Sequence, residues 1–290
     1  LLDADEVSAA LMRFCQEMRT GLGLGAAKGV VAIDGKSLRR GYDRGKSFMP
    51  PLMVSVCDAE TRLSIAAARA PGGNEIAGTL AVLKTLTLKG CIVTADALHC
   101  HPAMAEAVQA TGADYALGLK GNHGPLYAAA VEAFAKADAK SHLPFYEATE
   151  RGHDREEWRC ASIIERPKDA PSFPGLTAIG RIEGERTRKG KVEKATRYIA
   201  LSSLVTPQRL FEVVRAHWSV ENGLHWQLGV SFHEDNARTR KDNAPQNIAI
   251  IRRMALDRLR AHPNKRSINR KMNMARWSKT FFQELFAYMQ

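Results

Sequence analysis

Apolar and polar positions follow two rhythms along this chain. Residues 1–25 open helically: Val7, Leu11, Phe14 and Met18 recur at helical spacing, and Gly21, Gly23 and Gly25 end the run. Short apolar runs follow. Val30-Val31-Ala32-Ile33 stops at Asp34-Gly35, while Leu52–Val56 and Leu63–Ala70 flank the turn Asp58-Ala59-Glu60-Thr61. These read as a buried strand ending at Asp34, then a hairpin. Pro71-Gly72-Gly73 breaks the chain, and Asn74 is placed to cap a helix from Glu75 to about Leu86.

Cys91–Ala95 is another apolar run that ends on an acid, Asp96. Pro102 starts a helix reaching about Ala110. Asp114–Leu119 is a fifth strand, and the turn Gly121-Asn122-His123-Gly124-Pro125 leads into a helix ending near Ala137. The order β-β-β-α-β-α-β-α predicts a three-strand meander, to which helical crossovers add parallel strands. That is an α/β fold, a mixed sheet flanked by helices.

The rhythm changes over 143–205. Strands are predicted at Glu156–Ile164, Leu176–Ile182 and Thr196–Leu201, with Gly184–Lys194 as a charged hairpin tip. The block reads as a β-rich insertion. Helical spacing then returns. Arg209 to about Gln227 offers Leu210, Val213, Val214, Trp218 and Leu224 as inward positions. A helix opening with Pro245 runs to about Arg260 and offers Ile248, Ile251, Ala255 and Leu259. Phe281–Phe286 is a last amphipathic stretch. The segments are therefore 1–28, an N-terminal helical remnant; 29–142, the first part of the core; 143–205, the insertion; 206–262, a helical second part of the core; and 263–290, a basic helical tail.

A hydrophobic fraction of 45% is enough to build a sizeable core. The sequence opens Leu1-Leu2-Asp3 without Met, which predicts a segment of a longer protein. Net charge is +11, and 22 Lys+Arg against 10 Asp+Glu fall between Arg181 and Gln290. All the positive excess thus lies in the C-terminal part. Such a surface suits a polyanion, most simply nucleic acid, unless it is only a solvated basic face. Five cysteines, an odd count without a C-x-x-C pair, argue against a disulfide framework or a zinc ribbon. With no apolar run of membrane-spanning length and no signal-peptide pattern, a soluble cytoplasmic protein is expected.

Asp34 and Asp96 each finish an apolar strand, where a carboxylate sits at the edge of a sheet. Two such acids can share a hard cation, because Mg²⁺ prefers oxygen ligands; each can equally be a turn residue or a helix cap. His217-Trp218-Ser219-Val220-Glu221-Asn222-Gly223-Leu224-His225-Trp226 places His217, Glu221 and His225 on one helix face. That face can be a transition-metal site, a plain solvated face, or a Mg²⁺-binding glutamate whose neighbours His217 and His225 contact DNA or tune the site. Lys36, Arg39 and Arg40 after the first acid, and Lys120 and Asn122 in a Gly-containing turn, are candidates to hold phosphate. Arg252, Arg253, Arg258 and Arg260 on the late helix are candidates to track a DNA backbone. His99-Cys100-His101 reads as a loop, since three consecutive residues seldom converge on one ion.

Ala32-Ile33-Asp34-Gly35-Lys36-Ser37, Thr94-Ala95-Asp96-Ala97, Leu119-Lys120-Gly121-Asn122 and His217-Trp218-Ser219-Val220-Glu221-Asn222 occur in this order. Together with Asn74-Glu75-Ile76 and Phe232-His233-Glu234-Asp235-Asn236-Ala237-Arg238, the set resembles DDE-type transposases of bacterial insertion sequences. The closest subgroup includes the H-repeat-associated proteins. The resemblance runs from about Gly29 to Arg260. It implies a ribonuclease H-like fold in which the strands carrying Asp34 and Asp96 lie side by side. It also implies that Asp34, Asp96 and Glu221 form a catalytic, metal-holding triad. The implied cofactor is Mg²⁺, with Mn²⁺ as a second candidate. The implied partners are double-stranded DNA at element ends and target, with homo-oligomerisation left open and no membrane. The implied activity is metal-dependent DNA cleavage and strand transfer. A nuclease without strand transfer and a catalytically inactive DNA-binding remnant are the alternatives. The related Y-R-E-K signature is not met: His217 and Leu228 stand where Arg and Lys are expected, so its DNA-binding roles pass to Arg215, Arg238 or Lys241. Gly229 stands where the subgroup usually carries an acid.

Overall fold

The computed structural model describes residues 2–41, 50–140, 143–152, 155–188 and 190–287. In chain order its main elements begin with α1 (Ala4–Gly21), β1 (Gly29–Ser37), β2 (Leu52–Asp58), β3 (Ser64–Arg69), α2 (Glu75–Leu83), β4 (Cys91–Ala95) and α3 (Pro102–Ala110). Next come β5 (Asp114–Leu119), α4 (Gly124–Ala139), β6 (Phe145–Gly152), β7 (Arg155–Glu165), β8 (Ala178–Arg188), β9 (Lys191–Leu201) and α5 (Pro207–Ser219). A π-helical turn at Val220–His225 leads to α6 (Trp226–Val230), α7 (Ala244–Ala261), α8 (Ile268–Trp277) and α9 (Lys279–Ala287). The order from β1 to α4, β-β-β-α-β-α-β-α, is the one predicted from the hydrophobic pattern. The chain forms two compact units, Leu1–Leu88 with Trp218–Gln290, and Lys89–His217.

In the first unit β1, β2 and β3 pair as an antiparallel meander, with Asp34 opposite Ser55 and Gly35 opposite Val54. The strand was expected to stop at Asp34, but pairing continues to Ser37. What stops at Asp34 is burial: Val30–Ile33 are buried, and Asp34–Ser37 are half-buried. Asp3 caps α1 by accepting the N–H groups of Asp5 and Glu6 at 2.9 and 3.1 Å. Leu11 and Cys15 of α1 then join Met53, Ala67, Ala249 and Ile250 in one cluster. Asn74 caps α2 through the Ala77 N–H at 3.1 Å.

The late helix α7 is turned away from its predicted orientation. Ile248, Ile251, Ala255 and Leu259 were the expected inward face. Of these Leu259 is buried, Ile248 and Ala255 are half-buried and Ile251 is 53% exposed, while Ala249, Ile250, Arg253, Leu256 and Asp257 are also buried. Polar partners set this rotation. Arg253 Nε donates to Ser55 Oγ at 3.1 Å, and its Nη1 donates to Glu234 at 3.3 Å and to the Ala249 carbonyl at 2.9 Å. Asp257 accepts the Ser64 N–H at 3.2 Å. The basic face expected on this helix is accordingly not a face: Arg253 and Arg258 are buried, and Arg260 donates to the Arg62 carbonyl. Lys271 of α8 donates to the carbonyls of Leu259 and His262 at 2.6 and 2.9 Å, which satisfies the C-terminal end of α7.

Burial pushes the Asp257 carboxyl up to about 6. Its folded pKa thus exceeds the unfolded value of about 3.9, so the folded state holds the extra proton between them. This group therefore makes stability fall as pH rises from about 4 to about 6, by roughly 3 kcal/mol in all. Asp257→Asn keeps an acceptor for the Ser64 N–H and removes the titration. In urea unfolding the variant is expected to gain on the parent steadily across that window. A difference that stays flat with pH would show that Asp257 does not titrate there.

In the second unit the strand order is β4-β5-β9-β8-β7-β6. β4 and β5 run parallel, as the crossover through α3 requires, and the other pairs are antiparallel, so the sheet is mixed. Helices flank it. Tyr127 and Phe134 of α4 set their rings 5.5 and 5.6 Å from that of Tyr198. Leu210 of α5 packs on Gly180, where an added Cβ would meet its Cδ2 at 2.6 Å. Among the described residues of 143–205 there are four strands where three were predicted. The charged stretch Gly184–Lys194 is mostly strand, because its charges pair across the ladder: Lys194 with Glu185 at 2.9 Å, and Arg186 with Glu157 at 3.4 Å.

Candidate functional site

Asp34 leaves the buried part of β1 with both carboxylate oxygens engaged. Oδ1 accepts the Gly35 N–H at 2.9 Å, and Oδ2 lies 3.3 Å from His225 Nδ1. His225 closes the π-helical turn. Val220 and Leu224 of that turn pack with Ala32, Cys57, Leu228 and Leu256, which presses the turn onto β1. Glu221 precedes His225 by four positions and is exposed. The turn thus carries Glu221 on the side whose next residue touches Asp34. Single π-turns inside helices recur at functional sites, because they re-aim side chains that an α-helix would send elsewhere.

Two acids beside Asp34 were quoted only as parts of motifs, and the structure gives them contacts. The Glu75 carboxyl packs against Gly35, where an added Cβ would lie 2.4 Å from its Cδ. A side chain at Gly35 would displace this carboxyl. Asp235 accepts from Lys36 Nζ at 2.8 Å and lies 3.9 Å from Arg39 Nε. Asp235 Oδ2 would also meet a Cβ at Gly229 at 3.0 Å. The space beside Gly229 is therefore taken by a carboxylate from six positions further along. The sequence signal was the presence of these acids in the motifs Asn74-Glu75-Ile76 and His233-Glu234-Asp235; their spacing alone did not bring them to β1.

In the second unit Asp96 follows β4 and is exposed. It also caps the short 3-10 turn Ala97–His99, with Oδ1 accepting the Leu98 N–H at 2.9 Å. Gly118 of β5 lies under this turn, and a Cβ there would meet the Ala97 nitrogen at 3.1 Å. His217 Nδ1 is 3.1 Å from Thr94 Oγ1, so the end of α5 is tied to the strand that carries Asp96. All five cysteines are buried and outside any disulfide, and burial pushes the Cys100 thiol up to about 12, away from ligand chemistry.

The candidate DNA contacts divide into three groups. Lys120, Arg238 and Lys241 are exposed. Lys36, His217, His225 and Arg215 have protein partners: Asp235, Thr94, Asp34 and Glu150 respectively. The Asn122 side chain lies outside the described residues. The donors on Asp34, Glu221 and Asp96 are carboxylate oxygens, which is the chemistry that a hard divalent cation takes. Among the described residues no three His, Cys, Asp or Glu side chains are gathered closely enough to enclose an ion.

Fold and site define an α/β protein that carries acids on its sheet strands and on one helical turn. The family model for the transposase DDE domain matches residues 25–257, and the chain belongs to that family. It is 31% identical to YbfL of Escherichia coli (strain K12), over 90% of this chain and 72% of that protein. The same identity and coverage hold for a protein of that strain named "H repeat-associated putative transposase YhhI". Among solved structures, piggyBac transposase in its synaptic complex with hairpin DNA matches with a TM-score of 0.47 and 13% identity, over 94% of this chain and 55% of that chain. Among the described residues no helix is long and apolar enough to cross a membrane.

Proposed function

We propose that this protein is a DNA transposase that cuts DNA at the ends of an insertion sequence and joins the freed end to target DNA. Asp34, Asp96 and Glu221 hold divalent metal, Mg²⁺ or Mn²⁺. Membership of the DDE transposase family carries this reading, together with the occurrence of the three acids in that family's motifs. The 3.3 Å approach of His225 to Asp34 supports it locally, because it sets the helical turn bearing Glu221 on the strand bearing Asp34.

Bound metal supplies charge neutralisation and oxygen activation for in-line displacement at phosphorus. The first displacement forms a bond from water oxygen to phosphorus and breaks the bond to the 3′-oxygen. In the second, that freed 3′-hydroxyl attacks a target phosphodiester and releases a target 3′-hydroxyl. The protein contributes position and charge. His225 holds Asp34 in one orientation, Asp235 fixes Lys36 beside it, and the Asp96 turn is fixed by its own cap. Exposed Lys120, Arg238 and Lys241 bind backbone phosphate, so affinity falls steeply with salt.

The test is incubation of purified protein and Mg²⁺ with labelled element-end DNA and a target plasmid. Joined products are expected. Cleaved ends without joined products would favour the nuclease reading, and DNA binding without cleavage in either metal would favour the inactive remnant.

A further inference from the structure

Three residues of the α7 stripe that was expected to face inward, Ile251, Ala255 and Leu259, line an apolar groove. Ile251 is 53% exposed, and Phe282 and Phe286 of α9 are 50% and 52% exposed. These residues border the groove, of about 430 Å³ in the first unit, with further walls from α1 and α8. Scattered exposed apolar residues are normal on a soluble protein; a contiguous groove of them is a binding feature.

Arg258 lines this groove and is 5% exposed. Its Nε, Nη1 and Nη2 have no hydrogen-bond partner among the described residues. The guanidinium carbon lies 5.0 Å from the Phe14 ring and 5.7 Å from the Phe286 ring. Stacking of this kind stabilises the faces of the cation and leaves its edge donors unmade. Buried polar groups are ordinarily paired, and a guanidinium keeps its charge whatever its surroundings. Arg276 is the second charged residue of the lining, and no Asp or Glu belongs to it. The groove therefore holds apolar area and positive charge, and what it lacks is an anion on an apolar body.

We propose that this groove docks an amphipathic helix of a protein partner whose apolar stripe contains a carboxylate, and that the carboxylate reaches Arg258. Charge complementarity fixes the acid. The walls fix the helix: they are helix surfaces whose ridges accept side chains spaced along another helix. A lone acyl chain fits less well, since half-exposed Ile251, Phe282 and Phe286 would leave it wet along one side.

The test uses a fluorescent designed helix of about four turns with a leucine stripe and one Glu in it. A twin peptide carries Gln at that place. Anisotropy titration of the intact chain is expected to show the Glu peptide binding at least about tenfold tighter than the Gln peptide, as for a charged hydrogen-bonded pair out of water. Arg258→Met, checked for folding by thermal melting, is expected to bind both peptides equally. Ile251→Asn, at the exposed rim, is expected to weaken both peptides and leave the melting temperature unchanged; it carries the test if Arg258→Met does not fold. Equal binding of the two peptides by the parent protein would overturn the proposal. So would failure of both to bind, or binding of oleate where neither peptide binds.

Discussion

Asp34→Asn is expected to lower Mg²⁺-dependent cleavage of element-end DNA by on the order of 10³-fold, while DNA binding at low salt stays within about twofold of the parent. The amide keeps one oxygen for the Gly35 N–H, which the carboxylate accepts at 2.9 Å. It loses the negative charge that a hard cation requires. The side chain is 19% exposed and lies outside the buried run Val30–Ile33, so the core is untouched and melting should move little. Glu221→Gln and Asp96→Asn are expected to fall as far as Asp34→Asn, because groups that act as one unit are not additive. Cleavage by any of the three at the parent rate removes that residue from the proposed triad.

The largest effect on stability is expected at Glu234→Ala, a loss of about 3–5 kcal/mol. Arg253 and Glu234 face each other at 3.3 Å with no side-chain exposure. Removing the acid leaves a guanidinium charge in the core, and Arg253 cannot shed its proton to escape. Its Nη2 already lacks a hydrogen-bond partner among the described residues, so the site has little in reserve. The paired change Arg253→Met with Glu234→Leu is expected to recover most of the loss, because apolar side chains of similar volume remove both charges together. Urea unfolding of the two variants checks this. A double variant no more stable than Glu234→Ala would mean that the Ser55 and Ala249 contacts of Arg253, rather than the ion pair, hold α7 in place.

Much of the fold was legible because the buried strands announce themselves. Val30–Ile33 is an unbroken apolar run, Leu52–Val56 and Cys91–Ala95 are interrupted only by Ser55 and Thr94, and short runs of this kind between turn signals are the mark of strands buried on both faces. β6 carried no such signal. Phe145-Tyr146-Glu147-Ala148-Thr149-Glu150-Arg151-Gly152 is an edge strand exposed along most of its length, held by its ladder to β7. α7 misled for the opposite reason. Its buried face holds Arg253 and Asp257, whose partners on Glu234, Ser55 and Ser64 come from distant parts of the chain. Hydrophobic spacing is blind to charges satisfied in the interior.

The site was legible as a set of residue types and illegible as a set of contacts. Asp34, Asp96 and Glu221 stood out as acids within motifs. That His225 turns to Asp34 and His217 to Thr94, and that Asp235 stands beside Gly229, depends on local backbone geometry that residue spacing does not encode.

Helical counting itself breaks at one point of this chain. A backbone loop closed five residues back holds one residue more than the α-helical loop closed four back, so the wheel slips by about 100° in passing Val220–His225. Any signature spaced from Glu221 across that slip arrives out of phase: Leu228, seven positions on, is completely buried. Residues beyond this turn therefore have their faces set by the slip, not by their distance from the glutamate.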